Sequence, residues 1–179
     1  GNTGTTAISV QVQSSNDGDG DDDCNGGGGR TGTAGILTGI RLVDDRFRLH
    51  RKHRFNDAAI VFERVREHCQ STGISEELFI MGRSLGSAAC IELGHRFPEL
   101  IKGIIIDSGF SFTLPLAARL GYDVSESGLT EEDCFNNLDK IREIKLPTLI
   151  LHGAEDQLIP LNEAEKLQAE SGARRKQLS

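Results

Sequence analysis

The sequence predicts an α/β fold: an open, mostly parallel sheet with flanking helices. Two observations carry this expectation. Three apolar runs, ELFIM (77–81), IKGIII (101–106) and PTLIL (147–151), lack regular polar alternation, as suits strands buried on both faces of a parallel sheet. Segments with apolar residues at helical spacing separate them, and the order helix–strand–helix–strand–insert–strand–helix is that of an open α/β sheet.

The elements follow in chain order. Residues 1–54 are low in complexity and are expected to be disordered or poorly structured. Only AISVQVQ (7–13) and GILTGIRLV (35–43) have strand character there. The run Asp17-Gly18-Asp19-Gly20-Asp21 has the outline of a calcium loop. However, Asp22 stands where the sharp turn needs glycine, and Gly28 where the bidentate glutamate belongs. No metal site is expected. Helical periodicity begins near Asn56, with Ala58, Val61, Phe62, Val65 and Cys69 on one face and Asn56 or Asp57 as cap. The strand ELFIM leads into the helix SLGSAACIELGHRF, which Pro98 ends. After IKGIII comes a long segment, about 110–145, with helical patches at PLAARL and NLDKIREI; it is expected to form a small cap above the sheet. PTLIL and the helix NEAEKLQAE follow, with Gly172 as its stop. Residues 55–179 thus read as one partial α/β domain.

Of the 21 glycines, 11 lie in the first 40 residues, so the core comes from the remainder. The net charge of −7 divides as −4 over residues 1–40, +4 over 41–54 and −7 beyond. An acidic body argues against nucleic acid as a partner, because such binding rests on cations that neutralise phosphates. RFRLHRKHR (46–54) reads as a solvated basic linker. The four cysteines, Cys24, Cys69, Cys90 and Cys134, form no C-x-x-C pair, which disfavours zinc and redox motifs. With no membrane-length apolar run and no signal-like start, a cytoplasmic protein is expected.

The chemistry centres on G-x-S-x-G, present as Gly82-Arg83-Ser84-Leu85-Gly86. In a glycine-rich chain the pentapeptide alone is weak, but it follows an apolar strand and opens a helix, the context a nucleophile elbow requires. A serine on so sharp a turn takes strained backbone angles and needs small neighbours, here Gly82 and Gly86. The Leu85 N–H, at the helix start, can stabilise an oxyanion. Later, LPTLILHGAEDQLIP places Asp156 on the loop after a buried strand, where a carboxylate can orient an imidazole.

Together these segments resemble the α/β-hydrolase fold family, particularly small serine hydrolases of the serine aminopeptidase and esterase type, over about residues 55–179. The resemblance implies Ser84 as nucleophile, the Leu85 N–H as half of the oxyanion hole and Asp156 as acid, in the family's chain order. It also implies ester, amide or thioester hydrolysis through an acyl-enzyme on Ser84, with a small-molecule or peptide acyl substrate and no cofactor. The family's base lies beyond the acid, yet no residue after Asp156 is histidine, and residues 1–54 offer no H-G loop for the second oxyanion donor. His152 belongs to the strand-end motif, where the base does not sit. His50, His53, His68 and His95 are placed in the basic stretch or on helices. The chain as given is therefore expected to be inactive. Either a histidine outside this chain completes the triad, or the chain is a truncated remnant acting as a binding module or an incomplete gene model. A third reading is a structural α/β module in which the pentapeptide is accidental.

Overall fold

The computed structural model describes residues 6–11, 35–37, 51–73, 77–125 and 127–179, with backbone alone before residue 58. The Asp-rich run, Cys24 and His50 lie outside the described residues. Six strands form one parallel sheet in the order β2-β1-β3-β4-β5-β6. They are β1 (Thr6–Gln11), β2 (Gly35–Leu37), β3 (Leu78–Arg83), β4 (Ile101–Asp107), β5 (Thr148–Leu151) and β6 (Lys176–Leu178). The three apolar runs form β3, β4 and β5, while β1 overlaps the expected segment 7–13, starting one residue earlier, and β2 lies within 35–43.

The helices are α1 (Arg51–Thr72), α2 (Gly86–Arg96), α3 (Thr113–Arg119), α4 (Asn137–Glu143) and α5 (Leu161–Glu170). From β3 onward each strand is added outside the last, so right-handed crossovers put the connecting helices on one face. Helix α2 packs on β3 and β4 with α1 and α4 beside it, and α5 packs against α4, β5 and β6. The core lies beneath this layer: Ile80, Ile104, Ile106 and Ile150 of the sheet meet Phe62, Val65 and Cys69 of α1 and Cys90, Ile91 and Leu93 of α2. On the other face Phe79, Met81, Ile105 and Leu149 are half-buried. A shallow groove of about 620 Å³ crosses Phe79, Ile105 and Leu149 there, lined also by Lys102, Arg175 and Lys176.

Two expectations at helix ends are corrected. Helix α1 starts at Arg51, so Asn56 and Asp57 lie inside it instead of capping it, and residues 51–54 are helix instead of linker. Arginine and lysine are good helix formers, and the apolar stripe downstream is enough to extend the helix through them. Helix α5 stops at Glu170 with Ser171 as its C-cap. Gly172 serves a different need: a Cβ there would collide with the Arg142 carbonyl, because the Gly172 N–H donates to Ile141 of α4 at 2.9 Å. No described helix is long and apolar enough to cross a membrane.

Cys69, Cys90 and Cys134 are buried, and none of them is in a disulfide. Cys90 lies under the turn between β3 and α2, its Sγ 3.4 Å from the Ile80 carbonyl and 3.6 Å from that of Ile105. Burial pushes this thiol up to about 12 from an ordinary 9.0. The thiol form is therefore the one the fold stabilises, and that contribution is lost as pH rises above 9.0 towards about 12. Because the thiolate is the nucleophile, Cys90 should resist iodoacetamide at pH 8 in the folded protein and react once urea unfolds it. Peptide mapping after alkylation reads this directly, and native-state labelling would contradict it.

Candidate active site

Ser84 follows β3 and has φ 50°, a left-handed conformation that a side chain disfavours. Such a residue stores about 1–2 kcal/mol and persists only where its surroundings fix it. Its N–H donates to the Asp107 carbonyl at the end of β4, 2.8 Å away, continuing the ladder one step past the strand. Its own carbonyl accepts the Ser87 N–H at 2.9 Å, which turns the chain straight into α2. The turn is tight because Gly82 carries no side chain. A Cβ there would overlap the Gly86 carbonyl and lie 2.6 Å from the Cys90 Cβ. Leu85, at φ −59° and ψ −30°, is the N-cap of α2. Its N–H belongs to the group of donors that a helix start leaves without an intrahelical acceptor.

The register carries this edge across the sheet. Arg83 pairs with Asp107 and Asp107 with Leu151, so Ser84, Ser108 and His152 are the first residues past three neighbouring strands. Asp156 lies on the loop after β5, at the same edge. Its Oδ1 accepts two backbone N–H bonds, from Leu158 and Ile159, each 2.9 Å. Ile159 is 2% exposed and packs in a second core with Ala88 of α2 and Phe110, Leu116 and Phe135, against which Leu85 also rests. The loop that carries Asp156 and the start of α2 therefore share one apolar cluster.

The segment between β4 and β5 is pinned at both ends. At its entry the buried Glu163 carboxylate accepts the N–H groups of Ser111 (2.8 Å) and Phe112 (3.3 Å), and the Ser111 hydroxyl donates to the Glu163 carbonyl at 3.0 Å. Glu131 then caps α3 by taking the Thr113 and Leu114 N–H groups, both at 2.8 Å. At the exit the Asn137 amide donates to the Phe110 carbonyl at 2.9 Å, and Lys140 joins Glu92 of α2 at 2.6 Å. Ser108 (φ 48°) and Asn136 (φ 52°), the other two non-glycine residues at positive φ among those described, stand at the start of the segment and just before α4. Helix α4 consequently flanks α2 in the helical layer, while α3 and the 3-10 turn Glu131–Asp133 make up the rest of the insert. Nothing in the sequence signalled Glu163, Asn137 or Lys140, because their partners lie 52, 27 and 48 positions away.

The histidines are accounted for separately. His95 pairs with Glu143 at 2.7 Å at the far end of α2, and His68 is exposed near the end of α1. His152 does reach the Ser84 edge, but its Nε2 lies 2.6 Å from the Ile159 carbonyl. Among the described residues no group of three His, Cys, Asp or Glu side chains is placed to hold a metal ion.

No family model matches the chain. Several curated proteins are similar over part of it. "Alpha/beta hydrolase domain-containing protein WAV2" of Arabidopsis thaliana is 28% identical over 58% of this chain and 37% of its own length. "Alpha/beta hydrolase domain-containing protein 17B" of Homo sapiens is 32% identical over 47% of this chain and 27% of its own. The chain thus spans well under half of the curated relatives it matches. Among solved structures, one of two metagenome-derived lipolytic enzymes superimposes with TM-score 0.57 at 17% identity, covering 98% of this chain and 83% of that one. A monoglyceride lipase from Saccharomyces cerevisiae gives 0.53 at 18% identity, covering 78% of this chain and 61% of that one.

Two stability measurements probe this geometry. Ser84→Gly should stabilise the fold by about 1 kcal/mol relative to Ser84→Ala, since glycine alone relieves a positive φ; equal urea midpoints would mean that the turn is unstrained. Glu163→Ala leaves two backbone donors unpaired in a buried setting and should lower the unfolding free energy by about 2 kcal/mol, read from the same denaturation curves.

Proposed function

From the premise that this chain carries part of an α/β-hydrolase fold, we propose that it forms the nucleophile and acid portion of a serine acyl hydrolase. The observation that supports this most is Ser84 itself, a positive-φ residue at a strand-to-helix turn inside G-x-S-x-G. The Ser84 hydroxyl attacks the carbonyl carbon of an ester, amide or thioester, forming the Oγ–acyl bond and expelling the alcohol, amine or thiol. The Leu85 N–H receives the oxyanion that develops, at the positive end of α2. Asp156, its Oδ1 fixed by two backbone donors, orients and stabilises an imidazolium. That imidazole takes the Ser84 proton and returns it to the leaving group, and it comes from outside residues 157–179, which contain no histidine.

A second reading, a binding module on a hydrolase fold, is favoured by one observation. The histidine that the described residues bring to this edge, His152, has Nε2 engaged with a backbone carbonyl. A serine without a base stays protonated and weakly nucleophilic, and loss of the base lowers turnover by on the order of 10⁶.

A fluorophosphonate probe separates the two. In a protein that supplies the imidazole, the hydrolase reading expects label on Ser84, no label in Ser84→Ala, and labelling at least about tenfold slower in Asp156→Asn. A folded protein that carries that histidine and takes up no label sinks this reading and leaves the binding module.

A further inference from the structure

We propose that His152 is a positioning residue for the Asp156 carboxylate, closing the acid loop by donating its Nε2–H to the Ile159 carbonyl. The proposal rests on the hydrolase reading only in taking Asp156 as the acid. Within the loop from His152 to Pro160 one backbone bond, from the Asp156 N–H to the Gly153 carbonyl at 3.2 Å, closes a turn, while residues 153–155, 157 and 158 are exposed. Its fixed points are the two ends. At one end the His152 N–H donates to the Ser179 carbonyl at 3.0 Å, extending the pairing of β5 with β6. At the other, Ile159 is buried against Ala88 and Phe110.

The imidazole spans the gap between those ends, 2.6 Å from the Ile159 oxygen. Ile159 is therefore gripped on both sides: its carbonyl accepts from His152, and its N–H donates to Asp156 Oδ1 at 2.9 Å. A shift of this residue moves a donor of the carboxylate directly, and the Leu158 donor moves with it.

The proton assignment follows from chemistry. A carbonyl oxygen only accepts, so the proton of this bond sits on Nε2. Nδ1 is buried with no protein partner. A proton placed there would be a buried donor without an acceptor, which is costly, so the Nε2–H tautomer is selected. The same bond commits Nε2 to the backbone, leaving the lone pair of the ring on the buried Nδ1.

The test combines ¹⁵N NMR of the ring with hydrogen exchange of the loop, neither of which needs turnover. At pH 8 the wild type should show a protonated Nε2 and a bare Nδ1. The Leu158 and Ile159 amides should exchange about tenfold faster in His152→Phe, while Ile104–Ile106 of β4 keep their protection. His152→Gln, whose side-chain N–H reaches the Nε2 position, should restore protection to within about threefold of wild type. A proton on Nδ1, or loop protection unchanged in His152→Phe, overturns the proposal. If His152→Phe fails to fold, the wild-type tautomer and His152→Gln decide it. Loop behaviour as expected, with no fluorophosphonate label on a protein that supplies the imidazole, sinks the hydrolase reading alone; labelling with the wrong tautomer sinks this proposal alone.

Discussion

Ser84 is held at φ 50° by its hydrogen bond to β4 below and by the first turn of α2 above. That constraint couples three things that sequence alone leaves separate. It places Ser84 at the sheet edge, it starts α2 at the same point, and it brings the helix so close to β3 that Gly82 has no room for a side chain. A relaxed turn here would swing α2 away from the sheet and separate Ala88 from Ile159, breaking the apolar contact between the elbow and the acid loop. The strain is small beside the burial it enables, since α2 is buried from Gly86 to Gly94 and each buried leucine- or isoleucine-sized side chain contributes about 1.5–3 kcal/mol.

Much of this was legible beforehand because it is local. Strands β3, β4 and β5 coincide with continuous apolar runs, and the elbow announces itself through glycine spacing at a strand–helix junction. What stayed hidden depends on contacts between distant positions. The start of α1 at Arg51 could not be read from capping residues, because Asn56 and Asp57 have cap chemistry and still sit mid-helix. Gly172 looked like a helix stop, yet its role is to let α5 approach α4. The order of the sheet, with β1 beside β3 and β2 at the edge, has no signature in periodicity at all.

The insert shows how polar groups supplement apolar burial in a short segment. Its ends are tied by Glu163, Asn137 and the Lys140–Glu92 pair, while Phe110, Leu116, Ala117, Cys134 and Phe135 are buried, and Ile141 of α4 and its C-cap Ile144 join the main core. Phe110 and Phe135 meet edge to face at 5.9 Å, closing the two ends against each other. The Glu163 carboxylate serves two backbone donors, so removing it leaves them exposed to the desolvation penalty. These contacts tie the insert at its base to α2 through Glu92 and to α5 through Glu163.

The strand-end motif His-Gly-x-x-Asp takes on a physical sense in that setting. Read as chemistry, a histidine four residues before the acid invites a catalytic role. Read as structure, it is the fastener of a loop whose exposed residues cannot anchor it. The distinction turns on which atom the imidazole meets: a backbone carbonyl at 2.6 Å from Nε2 fixes both the ring and its proton. A base must have a lone pair facing the serine and must change protonation during the reaction, whereas a fastener must do neither. His152 satisfies the second description at the one position where Ile159 links the carboxylate, the ring and the core beneath the elbow. The Asp156 loop is therefore held within the eight residues from His152 to Ile159, and α2 need supply no more than the apolar surface on which Ile159 rests.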